Sequence, residues 1–109
     1  MTVLYHPEFA GDIRRFACQY GTISPRLELR FRLEVDDAIA AIRQRPSAAG
    51  HFLNTGSVIL REVRRRNLSI FPFFVLYGLT DTHLVFGSLI PSAADPLTWL
   101  NRFSSASES

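Results

Sequence analysis

The stretch "IFPFFVLYGL", from Ile70 to Leu79, sets the tightest limit on what this chain folds into. It is strand-length, well short of the 18 or more apolar residues a membrane-spanning helix needs. Its two alternating residue sets are both apolar, so neither side of such a strand suits water. A strand of that kind sits inside a sheet and is covered on both faces. Phe71, Phe73, Phe74, Val75 and Tyr77 are therefore core candidates.

Positive charge crowds directly before this run. Residues 57–68 carry four arginines (Arg61, Arg64, Arg65 and Arg66) against one glutamate, a local +3 in a chain whose net charge is +2. All twelve basic residues are arginine, which excludes a lysine Schiff base or lysine general base. Side chains alternate along a strand, so Arg64 and Arg66 share one face with Glu62, and Arg61 and Arg65 share the other with Val63. One face must meet the rest of the fold, so one arginine pair is expected to snorkel over its rim. Guanidinium groups this close repel one another unless anions offset them, which points to phosphates or carboxylates as the other pair's partners. A solvated strand edge is the plainer reading.

The remaining elements follow from periodicity and punctuation. "TVLY" reads as a short strand. Pro7 and Glu8 suit a helix start, Phe9, Ile13, Phe16, Ala17 and Tyr20 form one apolar face, and Gly21 ends the helix. Ser24 and Pro25 are a natural N-cap and first residue for a second helix. Its apolar face holds Phe31, Val35, Ala38, Ile39 and Ile42, and Pro46 stops it. Glu28–Arg32, Arg30–Glu34 and Arg32–Asp36 are spaced as i,i+4 pairs on its solvated side. Residues 46–56 read as a loop. Three strands are expected over Val58–Leu68, Phe71–Leu79 and His83–Ile90, joined as an antiparallel meander. "DPLTWLNRF" reads as a closing helix or turn that packs Trp99, with Arg102 stacking or pairing nearby.

The expected fold class is α+β: two N-terminal helices on one face of a mostly antiparallel sheet, in the order β-α-α-β-β-β with a short C-terminal helix or turn. Residues 1–103 are expected to form one domain and residues 104–109 a disordered tail. The sheet's other face is expected to be at least partly open, and function to sit there. A chain of 109 residues buries about 65% of its unfolded surface, enough for a core without metals or disulfides. The lone Cys18 cannot form an internal disulfide, which suits a reducing cytoplasm. No secretory signal pattern is visible at the N-terminus.

"YHPEFAGDIRRFACQY", "VRRRNLSIFPFFVLY" and "DPLTWLNR", in this order and spacing, resemble the RelE/ParE superfamily of type II toxin–antitoxin toxins. The resemblance runs from about Val3 to Arg102. It implies a cytoplasmic bacterial toxin, of the kind that serves plasmid stabilisation, working without a metal or other cofactor. It further implies neutralisation by a cognate antitoxin, a small DNA-binding protein with an acidic or amphipathic C-terminal segment. Members of the RelE type cleave mRNA on the ribosome, and those of the ParE type poison DNA gyrase. Many members carry a His and an Arg near the Asp-Pro pair at the end of the last strand. This chain reads "LIPSAADP", with Pro91 and Ala94 at those places.

That departure favours a ParE-like toxin that binds DNA gyrase over a ribosome-dependent endoribonuclease. A degenerate member that only binds antitoxin is a third reading. In the binding reading, Arg61, Arg64, Arg65 and Arg66 form a cationic rim around an apolar floor of Phe71, Phe73 and Phe74, which meets antitoxin or target. In the nuclease reading, the same arginines stabilise a scissile phosphate and Tyr77 or His83 moves protons. His6 and His51 lack a Cys, Asp or Glu at metal-ligand spacing, so no metal site is expected. Neither a membrane nor a specific DNA sequence is expected as a partner.

Overall fold

Five strands form one sheet in the order β1-β5-β4-β3-β2. In chain order the elements are β1 (Thr2–Tyr5), α1 (Phe9–Gly21), α2 (Pro25–Gln44), β2 (His51–Leu53), β3 (Glu62–Asn67), β4 (Phe73–Leu79), β5 (His83–Pro91) and a 3-10 turn at Pro96–Trp99. This computed structural model describes residues 1–53, 62–100 and 102–103. β1 pairs with β5 in parallel, and the other neighbours are antiparallel. The α+β class and the two-helix, mostly antiparallel plan are as the sequence predicts.

The helix ends show why these segments are helical. Ser24 is extended, its hydroxyl accepts the Leu27 amide at 3.4 Å, and Pro25 opens α2. α1 begins two residues after Pro7, with Glu8 at its N-cap. The Glu8 amide is taken up by His6 Nδ1 at 3.1 Å. On α2 the Glu28–Arg32 pair forms at 3.1 Å. Glu34 turns away from Arg30: one carboxylate oxygen accepts the Ile70 and Phe71 amides at 2.9 and 3.1 Å, fixing the β3–β4 connection to the helix.

Two layers of apolar side chains enclose the sheet. On the helix side, Phe31, Val35 and Ile42 of α2 and Phe9 and Ala17 of α1 pack on Phe73, Val75, Tyr77, Phe86 and Leu89. Phe31 meets Phe71 edge-on at 5.2 Å between ring centroids. Each such side chain, fully buried, stabilises the fold by about 1.5–3 kcal/mol. On the far side, Phe74, Leu76, Val85 and Ile90 pack with Val63 and Phe103, and Trp99 and Leu100 lean on them. Every residue of β4 is buried, as its unbroken apolar pattern requires.

The structure corrects two expectations and adds two details. The predicted loop contains β2, paired His51↔Arg65, Phe52↔Arg64 and Leu53↔Val63, because three residues are too few to show a period. β4 starts at Phe73, two residues late, since Pro72 has no amide to offer and the Phe71 amide is held by Glu34. β5 carries a bulge: Tyr77↔Phe86 and Leu76↔Ser88 pair, and Gly87 has no partner between them. The sheet's second face is closed over part of its area by Trp99, Leu100 and Phe103 of the chain itself. Residues 58–61 of the predicted third-from-last strand, and the predicted tail at 104–109, lie outside the described residues.

Candidate partner-binding surface

The arginine strand divides as alternation predicts. Arg64 and Arg66 stand opposite Tyr77 and Val75, which belong to the helix-side core, while Arg65 stands opposite Leu76 of the far-side core. Arg61 lies outside the described residues.

The two helix-side arginines turn inward at the sheet rim. Arg64 donates to the Gly50 carbonyl and to Glu62, both at 2.7 Å, and Arg66 donates to the Ala49 carbonyl at 2.7 Å. The Tyr77 hydroxyl donates to the Pro46 carbonyl at 2.7 Å. The segment from Pro46 to Gly50, which leads into β2, is thus held by three side chains of β3 and β4. A side chain at Gly50 would place its Cβ 2.7 Å from both the Arg65 carbonyl and the Tyr77 hydroxyl, so only glycine lets the segment lie this close. Loop carbonyls therefore offset much of the charge crowding that the sequence poses as a problem.

Arg65 is different. Its guanidinium lies 3.8 Å from the Phe74 ring centroid, and Asn67 accepts from its Nε and Nη2 at 3.1 and 2.9 Å. It faces the side away from the helices. Beyond it, the edge strand β2 exposes Phe52, with the Arg64 guanidinium 6.0 Å from its ring. At the β3–β2 edge, Arg65 thus offers a cation on the face away from the helices, and Phe52, paired with Arg64, an aromatic surface on the helix-side face.

A concavity of about 300 Å³ opens between α2 and the end of β3, lined by Arg30, Leu33 and Asp37 on one side and Arg66, Leu68 and Ser69 on the other. Leu29 and Leu33, one turn apart on α2, are more than half exposed, as is Ile70 on the turn that Glu34 ties to the helix. Leu33 is among the residues that line this cleft, and large apolar side chains left in water are a feature of binding surfaces when they are contiguous.

The other predicted site residues are not gathered there. Phe71 and Phe73 are buried in the helix-side core among Tyr20 and Phe31, and Phe74 is fully buried beneath Arg65. The Tyr77 hydroxyl is buried and its pKa is pushed up to about 12, chiefly by desolvation, with Arg64 and Arg66 pulling weakly the other way. It stays protonated at neutral pH and already has an acceptor. His83 begins β5, two strands from the arginines and beside Thr82, whose hydroxyl is 2.6 Å from its Nδ1. The side chains proposed for proton transfer thus do not converge with the arginines on one reachable point.

Sequence reasoning missed one polar centre. Asp12 of α1 is 1% exposed, and its Oδ2 accepts from Arg102 at 2.6 Å and from the Leu89 amide at 3.1 Å. Arg102 also stacks 4.8 Å from the Trp99 ring, meeting both halves of its expectation. The available signal was an acid three residues after Phe9, on the apolar face of a helix. Among the described residues, no three His, Cys, Asp or Glu side chains cluster as metal ligands would, and no helix is long and apolar enough to cross a membrane.

No protein-family profile matches this sequence, and no curated protein sequence matches it. Among solved structures, the chain is similar to one described as "Chromosomal ParDE TA system from P. aeruginosa". The likeness has a TM-score of 0.66 at 17% identity and covers 84% of this chain and 95% of that one. At this identity what is shared is the fold: the chain folds like a component of a ParDE toxin–antitoxin system.

Proposed function

We propose that this chain is the toxin of a type II toxin–antitoxin pair, neutralised by a cognate antitoxin, and that it acts by binding a target protein, DNA gyrase being the target we favour. The observation that carries this reading is the fold shared with a ParDE component over most of both chains, beside the motif order from "YHPEF" to "DPLTWLNR". On this reading residues 1–103 form a single cytoplasmic domain, and Arg61 and Arg65 with the exposed apolar side chains around β2 and α2 meet the antitoxin or the target.

Binding is preferred to RNA cleavage on a specific ground. Arg64 and Arg66 are committed to loop carbonyls, the Tyr77 hydroxyl to Pro46, and His83 lies at the far end of β5. A phosphate at Arg65 would lie beside His51, its cross-strand neighbour on β2, but away from Tyr77 and His83, the residues the nuclease reading needs for proton transfer. Pro91 and Ala94 replace the further basic residues that the nuclease type carries at the end of the last strand.

The test is induction of the chain alone in a bacterial host, with pulse-labelling of DNA, RNA and protein synthesis over the following minutes. DNA synthesis is expected to fall first, with DNA breaks, and co-expression of an antitoxin encoded beside it should restore growth. Protein synthesis falling first, with mRNA cut at ribosome-bound codons, would overturn the gyrase reading in favour of the nuclease. Growth without any defect would leave a chain that binds antitoxin but has lost toxicity.

A further inference from the structure

β5 is longer than the strand beside it. β1 ends at Tyr5, paired with Phe86, and the ladder closes with the His6 amide donating to the Phe86 carbonyl at 2.8 Å. From Gly87 to Pro91, β5 runs on with no strand on that side among the described residues. An open strand edge is a template for another chain, and native proteins cover such edges or blunt them.

Here two side chains stand where a neighbouring strand's peptide groups would be. The Leu89 amide donates to Asp12 Oδ2 at 3.1 Å, and the Gly87 carbonyl accepts from Arg102 Nη1 at 3.1 Å. The two side chains are joined to each other at 2.6 and 3.3 Å, and Arg102 also donates to the Ser88 hydroxyl at 3.1 Å. Asp12 comes from α1 and Arg102 from the C-terminal segment, so the pair spans the sheet edge from one layer to the other. Next to Arg102, Phe103 seats its ring over Gly87, where a Cβ would come within 2.8 Å of it. The bulge at Gly87 thus turns the strand's carbonyl toward Arg102 and opens the space for Phe103.

We infer that the Asp12–Arg102 pair is a side-chain latch that substitutes for strand pairing along the distal half of β5, and that it guards this edge against association with a second copy of the chain. The C-terminal segment is the latch's moving half. It is tied to the rest of the fold by the Asp12 pair, by a longer contact of Arg102 with the exposed Glu8 at 3.8 Å, and by the packing of Trp99, Leu100 and Phe103 on Phe74, Leu76, Val85 and Ile90. Lifting it frees the Gly87 carbonyl and the apolar face behind it, and strips the buried Asp12 of its cation, so that the carboxylate turns to water and releases the Leu89 amide. A second copy offers the same edge and the same face, which lets two chains close on each other symmetrically. This inference does not depend on what the chain binds as a toxin.

The first measurement needs no variant: native-state amide exchange on the full chain at low urea. The Leu89 and Leu100 amides are expected to open together, about tenfold or more faster than those of Val75 and Leu76 in the sheet centre. Exchange of Leu89 only in step with Val75 would mean the edge has no independent latch and would overturn the inference. The second is sedimentation of the Asp12→Asn/Arg102→Gln double variant, which removes both charges and leaves neither buried alone. It should form dimers or larger species at concentrations where the unmodified chain is monomeric, with Arg102→Lys in between. A double variant that stays monomeric overturns the guarding role. Should that variant fail to fold, Arg102→Lys and the exchange pattern of the unmodified chain decide.

Discussion

The Arg65 guanidinium rests 3.8 Å from the centroid of the buried Phe74 ring, on the side of the sheet away from the helices. Arg64 and Arg66, its neighbours in the sequence, turn the other way and bond to the carbonyls of Gly50 and Ala49. One strand thus carries two kinds of arginine: a pair that holds the fold's edge together and one that faces outward over an aromatic ring.

Arg65 should therefore matter more to association than to folding. Arg65→Ala loses a cation–π contact and is expected to lower stability by only about 0.5–1 kcal/mol in urea denaturation. On the proposed toxin–antitoxin reading, Arg65→Glu should slow association with the antitoxin if its contacting segment is acidic, and the difference should shrink as salt rises. An unchanged association rate at low salt would remove Arg65 from the binding surface.

Arg64→Ala and Arg66→Ala should behave in the opposite way. Each leaves a carbonyl of the Ala49–Gly50 segment without its charged donor, at a cost of about 1–3 kcal/mol. Thermal denaturation is the check. Loss of toxicity from either variant without loss of stability would assign these two guanidinium groups to a ligand instead.

Tyr77 makes stability depend on alkaline pH. Its folded pKa, about 12, lies above the ordinary value of 10.0, so the folded chain holds the proton more tightly than the unfolded chain. The stabilisation is complete below pH 10 and is lost as pH rises from about 10 toward 12. Tyr77→Phe should flatten most of that decline, with a smaller part remaining from Tyr20, whose pKa burial also raises. It should also lower neutral-pH stability by about 1–2 kcal/mol through the lost bond to Pro46. An unaltered alkaline decline in this variant would place its origin elsewhere.

Gly50→Ala is expected to be among the costliest surface-level changes. Its Cβ would meet the Arg65 carbonyl and the Tyr77 hydroxyl at 2.7 Å, and the carbonyl is backbone that cannot swing aside. A loss of about 1–3 kcal/mol is expected, with weakened pairing of β2 to β3. Amide exchange at His51 and Leu53 would report the pairing directly, and unchanged protection there would refute the close approach.

Local chemistry was enough to determine both helices, the central place of β4 and the division of the arginines between two faces. Ser24 and Pro25 state a helix start, Phe31, Val35 and Ile42 a buried helical face, and the run from Phe73 to Leu79 a strand with no side for water. Those signals are periodic or fall within a few residues, so they can be read without knowing what lies across the fold. Only the tertiary structure decided what the arginines and acids touch. Arg66 finds a carbonyl 17 positions away, Glu34 finds amides 36 and 37 positions away, and Arg102 reaches Asp12 across 90. A charged side chain takes whichever partner the fold brings to it. β2 and the latch on β5 depend on strands that meet only after the chain has turned back on itself, and no local pattern records that meeting.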